Sequence, residues 1–83
     1  MSRFLDTHTV PGVAREAILE ACKAMKAAPG VTFIACHYDL SEGKVFCLTE
    51  AGSEEVVRQA HANIKLPYET IRQVKAITPA DLA

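Results

Sequence analysis

The 83-residue chain lacks tryptophan and contains only four glycines, four prolines, two tyrosines and three phenylalanines. Each glycine fits a turn, so the sequence has no glycine-rich loop of the kind that cradles phosphate groups. No apolar run approaches the roughly 20 residues that a membrane-spanning helix needs. The first residues, Met1–Phe4, carry no apolar signal region. We therefore expect no membrane role and a cytoplasmic location.

The chain also lacks an excess of positive or of negative charge. Nine lysines and arginines against ten aspartates and glutamates give a net charge of −1, and no basic patch alternates with aromatic residues. Nucleic-acid binding thus has no electrostatic support. The three cysteines are an odd number without CxxC spacing, whereas disulfide frameworks use even sets. Cys22, Cys36 and Cys47 are predicted to be reduced thiols, with Cys36 acting as a small buried apolar residue.

Almost half of the residues, 49%, are apolar, and their periodic spacing predicts a globular chain. The length predicts one domain over residues 1–83. A chain of this size buries only about 60% of its unfolded surface, so self-association would stabilise it.

Strand-like and helix-like periods alternate along the chain. The predicted elements are a strand at Arg3–Val10, a helix at Val13–Ala28, a hairpin of Thr32–Tyr38 and Val45–Thr49, a helix from Ser53 to about Ile64 or Lys65, and a strand at Thr70–Ile77. This βαββαβ order predicts an α+β, ferredoxin-like sandwich. Its antiparallel sheet would have strand order 4-1-3-2, with two helices on one face. The other face would stay open, which favours a homodimer.

The hairpin register decides which side chains share a face. With residues 41–43 as the loop, His37 lies opposite Cys47 and Tyr38 opposite Phe46. The more apolar face is expected to pack against the helices; it comprises Ile34, Cys36, Tyr38, Phe46 and Leu48. Asp6 and His8 of the first strand then join His37 and Cys47 on the open face.

Imidazole, thiolate and carboxylate groups are ligands for zinc, nickel or copper. The open-face set of Asp6, His8, His37 and Cys47 therefore predicts a transition-metal site. His61 would lie on the helix side, apart from that set. A Cys–His pair is also the core of an activated nucleophile, but no orienting group or oxyanion site accompanies it, so the sequence favours a binding protein over an enzyme.

Several segments resemble one family of small bacterial proteins. They are Phe4–His8 followed by Pro11-Gly12, then Gly30-Val31, then Gly43–Ala51, and a later helix with a histidine. In these segments the chain resembles the domain of unknown function 4242, whose members are often called nickel-binding proteins. The resemblance implies a ferredoxin-like fold, a homodimer, and binding of nickel or another divalent transition metal such as zinc.

The resemblance also implies a ligand set. Asp6, His8, Cys47 and His61 stand where the family pattern has Asp, His, Cys and a histidine of the second helix. Relatives often have a first-helix histidine near Cys22, whose thiol would serve as a soft ligand.

Three hypotheses follow from the sequence. The first is a homodimeric metal-binding protein with His8 and Cys47 as main ligands, assisted by Asp6, His37 or His61. The second is a metal-free dimeric α+β barrel that binds a small organic molecule, or a lyase or isomerase using His8 or His37 as proton carrier. The third is a structural or regulatory dimer in which the polar residues have no special role.

Overall fold

The computed structural model describes all 83 residues, 1–83. The elements are β1 (Ser2–Thr9), α1 (Arg15–Lys26), β2 (Val31–Asp39), β3 (Lys44–Ala51), α2 (Glu54–Asn63) and β4 (Thr70–Val74), followed by a short 3-10 helix at Pro79–Leu82. The predicted βαββαβ order is confirmed. The last strand ends three residues before its predicted end, and α1 is two residues shorter at each end than predicted.

The four strands form one antiparallel sheet in the order β2-β3-β1-β4. This is the predicted order 4-1-3-2 read from the opposite edge, so the α+β ferredoxin-like fold is confirmed.

Charged residues near the ends of α1 and a serine at the start of α2 are typical of helix termini. In α1, Glu16 lies in the first turn and Lys23 and Lys26 in the last, which complements the helix dipole. Ser53 occupies the N-cap position of α2, although its side chain makes no capping hydrogen bond. Neither helix is both long enough and apolar enough to cross a lipid bilayer.

Both helices pack on the same face of the sheet. Val57 of α2 contacts a cluster from three strands, formed by Phe4, Ala51 and Ile71. A second cluster joins Met25 of α1, Val31 of β2 and Ala60 of α2. The two clusters fix the helices over one face and leave the other face uncovered.

The hairpin register differs from the predicted one. Residues 40–43 form a four-residue turn, so His37 pairs with Phe46 and Cys36 pairs with Cys47. The predicted pairing of His37 with Cys47 is therefore wrong. Near the start of β2 the register shifts by one residue at Ile34, a β-bulge that reverses the facing of the strand.

The face assignment changes with the register. Asp6, His8 and Cys47 lie on the face that the helices cover, whereas Phe46 and Leu48 lie on the open face. The prediction that Asp6, His8 and Cys47 share the open face is therefore wrong. The set predicted to pack against the helices is split between the two faces. Cys36 and Tyr38 share the covered face with their partners Cys47 and Val45, whereas Phe46 and Leu48 face outward.

Gly43 closes the hairpin turn against the end of β1. It has φ +66°, and a Cβ built there would lie 2.6 Å from the carbonyl oxygen of Val10. The Val10 amide also donates to the Gly43 carbonyl at 2.7 Å, so the two backbones are held together.

Gly43→Ala is therefore expected to lower the free energy of unfolding by about 3 kcal/mol, the sum of left-handed strain and a backbone clash. Gly12→Ala is the matched control, since Gly12 has φ +77° but a Cβ added there would have no neighbour within 4 Å. We expect it to lose only about 1 kcal/mol. Urea unfolding of both variants measures the difference, and equal losses would show that the close approach to Val10 does not matter.

Candidate metal centre

Strand β1 delivers two polar side chains to the covered face. Asp6 and His8 are two residues apart and therefore point the same way from the strand. They are 1% and 5% exposed, as deeply buried as the apolar core. Buried polar groups of this kind need partners.

Helix α2 supplies the main partner, His61, which is 1% exposed. One oxygen of Asp6, Oδ2, lies 2.5 Å from Nε2 of His8 and 3.1 Å from Nε2 of His61. The two imidazole rings are stacked, with centroids 5.7 Å apart. A single carboxylate oxygen thus sits between two histidine nitrogens from different elements.

The outer nitrogens fix the protonation of both rings. Nδ1 of His8 donates to the Pro67 carbonyl at 2.7 Å, and Nδ1 of His61 donates to the Val57 carbonyl at 2.8 Å. A carbonyl only accepts, so each Nδ1 carries a proton. In the neutral ring this leaves a lone pair on Nε2. Both lone pairs are therefore aimed at the Asp6 carboxylate, and a proton or a cation must lie between the groups.

The second oxygen of the same carboxylate, Oδ1 of Asp6, is buried and has no hydrogen-bond partner. Such an orphaned acceptor is costly in a folded protein. The donor set around it consists of imidazole nitrogens and a carboxylate, with a thiol nearby. These residues therefore fit a transition-metal ion.

Ionisation follows the same contacts. Burial opposes the charged form of Asp6, but hydrogen bonds from His61 and His8 outweigh burial and hold the pKa of Asp6 below its usual 3.8. Burial also opposes the charged form of His8. The bonds to Asp6 and to the Pro67 carbonyl outweigh it and hold the pKa of His8 above 6.5. Without a metal, Asp6 and His8 form a buried ion pair.

Three thiols adjoin this ion pair. Cys47 pairs with Asp6 across β1 and β3, and its sulfur lies within 4.8 Å of ligand atoms of both Asp6 and His8. Cys36 faces Cys47 across β2 and β3, with their sulfurs 3.3 Å apart. Cys22 reaches down from α1, and the three sulfurs all lie within 4.8 Å of one another. Cys47 therefore belongs to two groups of donors.

The thiols do not titrate alike. The Cys47 thiol donates to the Cys36 sulfur and lowers the pKa of Cys36 to about 7. The same bond, together with burial, raises the pKa of Cys47. Burial raises the pKa of Cys22 to about 11. Cys36 is therefore the thiol that ionises first.

The loop after α2 holds His61 from outside. The Tyr68 ring packs edge-on against the His61 ring, with centroids 5.1 Å apart. Arg58 donates to the Tyr68 hydroxyl at 2.8 Å and is also bound by Glu54. Supports of this kind fix a ligating histidine in one orientation.

A cavity of about 260 Å3 lies beside the site, between α1 and the sheet. Asp6, His8, Cys22 and Cys47 line it, and most of its other walls are apolar. The cavity gives an ion or a small molecule a route to the buried groups.

The structure gathers most of the predicted ligands, though not on the predicted face. Asp6, His8, Cys47 and His61 converge beneath the helices, and Cys22 joins through the thiols. His61 was expected to stay apart, and this expectation is wrong because the site itself lies on the helix side.

His37 is the predicted ligand that does not join. It lies exposed on the open face, on the opposite side of the sheet from His8. Cys36 is the residue that sequence reasoning missed, since its alternation predicts an apolar core position. Its place next to Cys47 depends on the four-residue turn, and the sequence offers only one signal for it, the presence of three cysteines in a small chain.

Comparison with known proteins identifies a family and a similar fold. Residues 4–74 match the profile of a family described as "Nickel responsive protein SCO4226-like". The fold is similar to that of SCO4226 from Streptomyces coelicolor A3(2), a crystal structure with 25% sequence identity and a TM-score of 0.83. The similarity covers 93% of this chain and 100% of that one. No curated protein matches the chain. The expected relation to a small nickel-associated family is thus supported, while the family number 4242 stays a prediction.

Proposed function

We propose that this chain, which belongs to the SCO4226-like family of nickel responsive proteins, binds nickel through His8, His61, Asp6 and Cys47. One observation carries the proposal. Nε2 of His8 and Nε2 of His61 converge on one oxygen of Asp6, whose other oxygen is buried without a partner. The ligand atoms of Asp6, His8 and Cys47 lie within 4.8 Å of one another, so a divalent cation among them would compensate the carboxylate, and His61 would join it from the other side of Asp6.

The four residues have distinct roles in this proposal. His8 and His61 give nitrogen ligands whose orientation is set by carbonyl bonds on the far side of each ring. Asp6 contributes the negative charge that attracts a divalent ion into a buried site. Cys47 adds a softer ligand, which favours nickel, zinc or copper over magnesium or calcium.

We infer that the protein acts as a homodimer in the cytoplasm. The open sheet face supports the dimer, because Phe46 and Ile34 stand 37% and 36% exposed there beside half-buried Leu48. A second copy would cover these side chains. A reducing compartment would keep the three thiols available as ligands.

Removal of single ligands tests the metal site. His8→Ala and Cys47→Ser are each expected to weaken nickel binding by at least about tenfold, because each removes a donor from the group. His37→Ala is the matched control: it removes an exposed histidine on the other face and should leave the affinity unchanged. Titration calorimetry measures the three affinities.

Elemental mass spectrometry and the native mass complete that experiment. Protein purified without a tag or chelator is expected to hold nickel near one ion per chain and to have the mass of a dimer. Unchanged affinity in both the His8 and Cys47 variants, or equal loss in the His37 control, would contradict the proposed ligands.

The apolar cavity favours one other function, binding of a small apolar molecule beneath α1. Its volume of about 260 Å3 and its mostly apolar walls suit such a ligand, with His8 as a proton donor at one end. This alternative differs from the dimer cleft that the sequence suggests, because it places the molecule inside one chain. An organic mass on the native protein, together with no uptake of nickel, would favour it.

A further inference from the structure

We propose that Cys22, Cys36 and Cys47 form a second metal site that binds a soft monovalent cation, Cu(I). The site shares the Cys47 sulfur with the proposed nickel site and is otherwise separate from it. It depends on the thiol geometry alone, so it does not require nickel to bind.

Three different elements supply the three sulfurs, which gives the site a rigid frame. Cys36 and Cys47 are directly paired residues of adjacent strands, with sulfurs 3.3 Å apart. Cys22 comes from the middle of α1, which packs over the same face of the sheet. All three sulfurs lie within 4.8 Å of one another. A single ion placed among them would touch all three without a change of backbone.

The surroundings favour an ion that needs few ligands. The side chains around the sulfurs include Ile18 and Phe33, which offer no donor atoms. Nickel and zinc require four or more ligands, and three thiols alone do not supply that number. Thiolate sulfur is a soft ligand that selects Cu(I).

The three thiols are also accessible. Each is half-buried, and Cys22 lines both the cavity beside Asp6 and a second cavity of about 250 Å3. Cys36 borders only the second cavity of the two. An ion can therefore approach the thiols from the side that lies away from His8 and His61.

The binding step exchanges protons for copper without electron transfer. Copper enters as Cu(I), each ligating thiol releases its proton to solvent, and a sulfur–copper bond takes its place. The charge of the ion offsets part of the negative charge that the thiolates acquire.

Two sets of variants separate this site from the nickel site. Reduced protein is titrated with Cu(I) without oxygen, in competition with a coloured Cu(I) chelator. We expect one Cu(I) per chain and a near-ultraviolet thiolate-to-copper absorption band. Cys22→Ser and Cys36→Ser should each weaken Cu(I) binding about thirtyfold or more. Cys22→Ser should change nickel affinity by less than about twofold, and it is the variant that separates the two sites, because Cys36 is hydrogen-bonded to the shared Cys47. His61→Ala should do the reverse.

Cys47→Ser is expected to weaken both metals, since its sulfur is shared. Cys22→Ala and Cys36→Ala serve as second variants, with urea unfolding of each to show that it still folds. Unchanged Cu(I) affinity in the Cys22 and Cys36 variants would overturn the proposal, as would an equal loss in His61→Ala. If wild-type protein takes no nickel but shows this copper pattern, the thiol site stands and the proposed function fails.

Discussion

Asp6→Asn is expected to weaken nickel binding by about a thousandfold, about 4 kcal/mol, and to leave the metal-free protein as stable as the wild type. The substitution removes the negative charge and the oxygen that lies between the two imidazoles. An amide is a poor substitute for a carboxylate at a buried divalent ion.

The stability of the metal-free Asp6→Asn protein is expected to be preserved because of the tautomers of the two histidines. Because both Nδ1 atoms donate to carbonyls, both Nε2 atoms of His8 and His61 are acceptors when the rings are neutral. The amide nitrogen of an asparagine at position 6 carries two hydrogens. It can donate one to each ring from the position that Oδ2 now occupies.

Asp6→Ala is the matched comparison. It leaves the buried Nε2 atoms of His8 and His61 without partners, so we expect the unfolding free energy to fall by about 3 kcal/mol. Titration calorimetry and urea unfolding of the two metal-free variants test both effects. Nickel binding that survives in Asp6→Asn would remove Asp6 from the ligand set, and an asparagine variant as unstable as the alanine variant would contradict the assigned tautomers.

Nickel affinity is expected to rise by at least about tenfold for each pH unit between about pH 6 and pH 8, a hundredfold or more in all. The bond to Cys36 and burial raise the pKa of Cys47, so its thiol is protonated across this range. Each nickel ion that binds must displace that proton. At the acid end His8 releases a second proton, because its pKa lies above 6.5.

The stability of the metal-free protein should depend on pH differently, with a maximum at mildly acidic pH and a loss on either side. The pKa of Asp6 is depressed, so its contribution is present above 3.8 and is lost as pH falls through the folded value. The pKa of His8 is raised, so its contribution is complete below 6.5 and is lost as pH rises through the folded value. The ion pair therefore stabilises the metal-free protein most between 3.8 and 6.5.

Calorimetry in two buffers of different ionisation enthalpy counts the protons released with each nickel ion. Cys47→Ser is the control and should release one proton fewer, with a correspondingly shallower dependence on pH. An affinity that stays constant from pH 6 to pH 8 would mean that no protonated group is displaced, and Cys47 would then not be a ligand.

Periodicity in the sequence was enough for the fold. Alternation over residues 3–10 and three-to-four spacing in the two helical segments indicate the element types, and Pro29-Gly30 and Ala51-Gly52 mark two of the boundaries. These signals are local, since each depends on residues that are neighbours along the chain. The order of types then restricts the topology to few arrangements, which is why the sheet order was predictable.

The face of the sheet that holds the site was not predictable in the same way. Alternation separates two faces of a strand but does not say which is inside. The apolar content of the hairpin pointed to Phe46 and Leu48, and the structure places both on the open side. Asp6 and His61 are polar residues in a core that is otherwise mostly apolar, and each provides the other with a hydrogen-bond partner. Such exceptions are typical of functional sites.

The sequence by itself determined the βαββαβ fold and identified Asp6, His8, Cys47 and His61 as candidate ligands, because element types and donor atoms are properties of short segments. Only the tertiary structure decided that these side chains meet beneath the helices, that His37 stays outside, and that Cys36 joins Cys22 and Cys47. For Cys36 and His37 the physical reason is the one extra residue in the turn at 40–43, which pairs them with Cys47 and Phe46; the bulge at Ile34 then shifts the pairing of the start of β2. Each such shift moves every following side chain to the other face, and packing of the whole chain, not local preference, selects between the two.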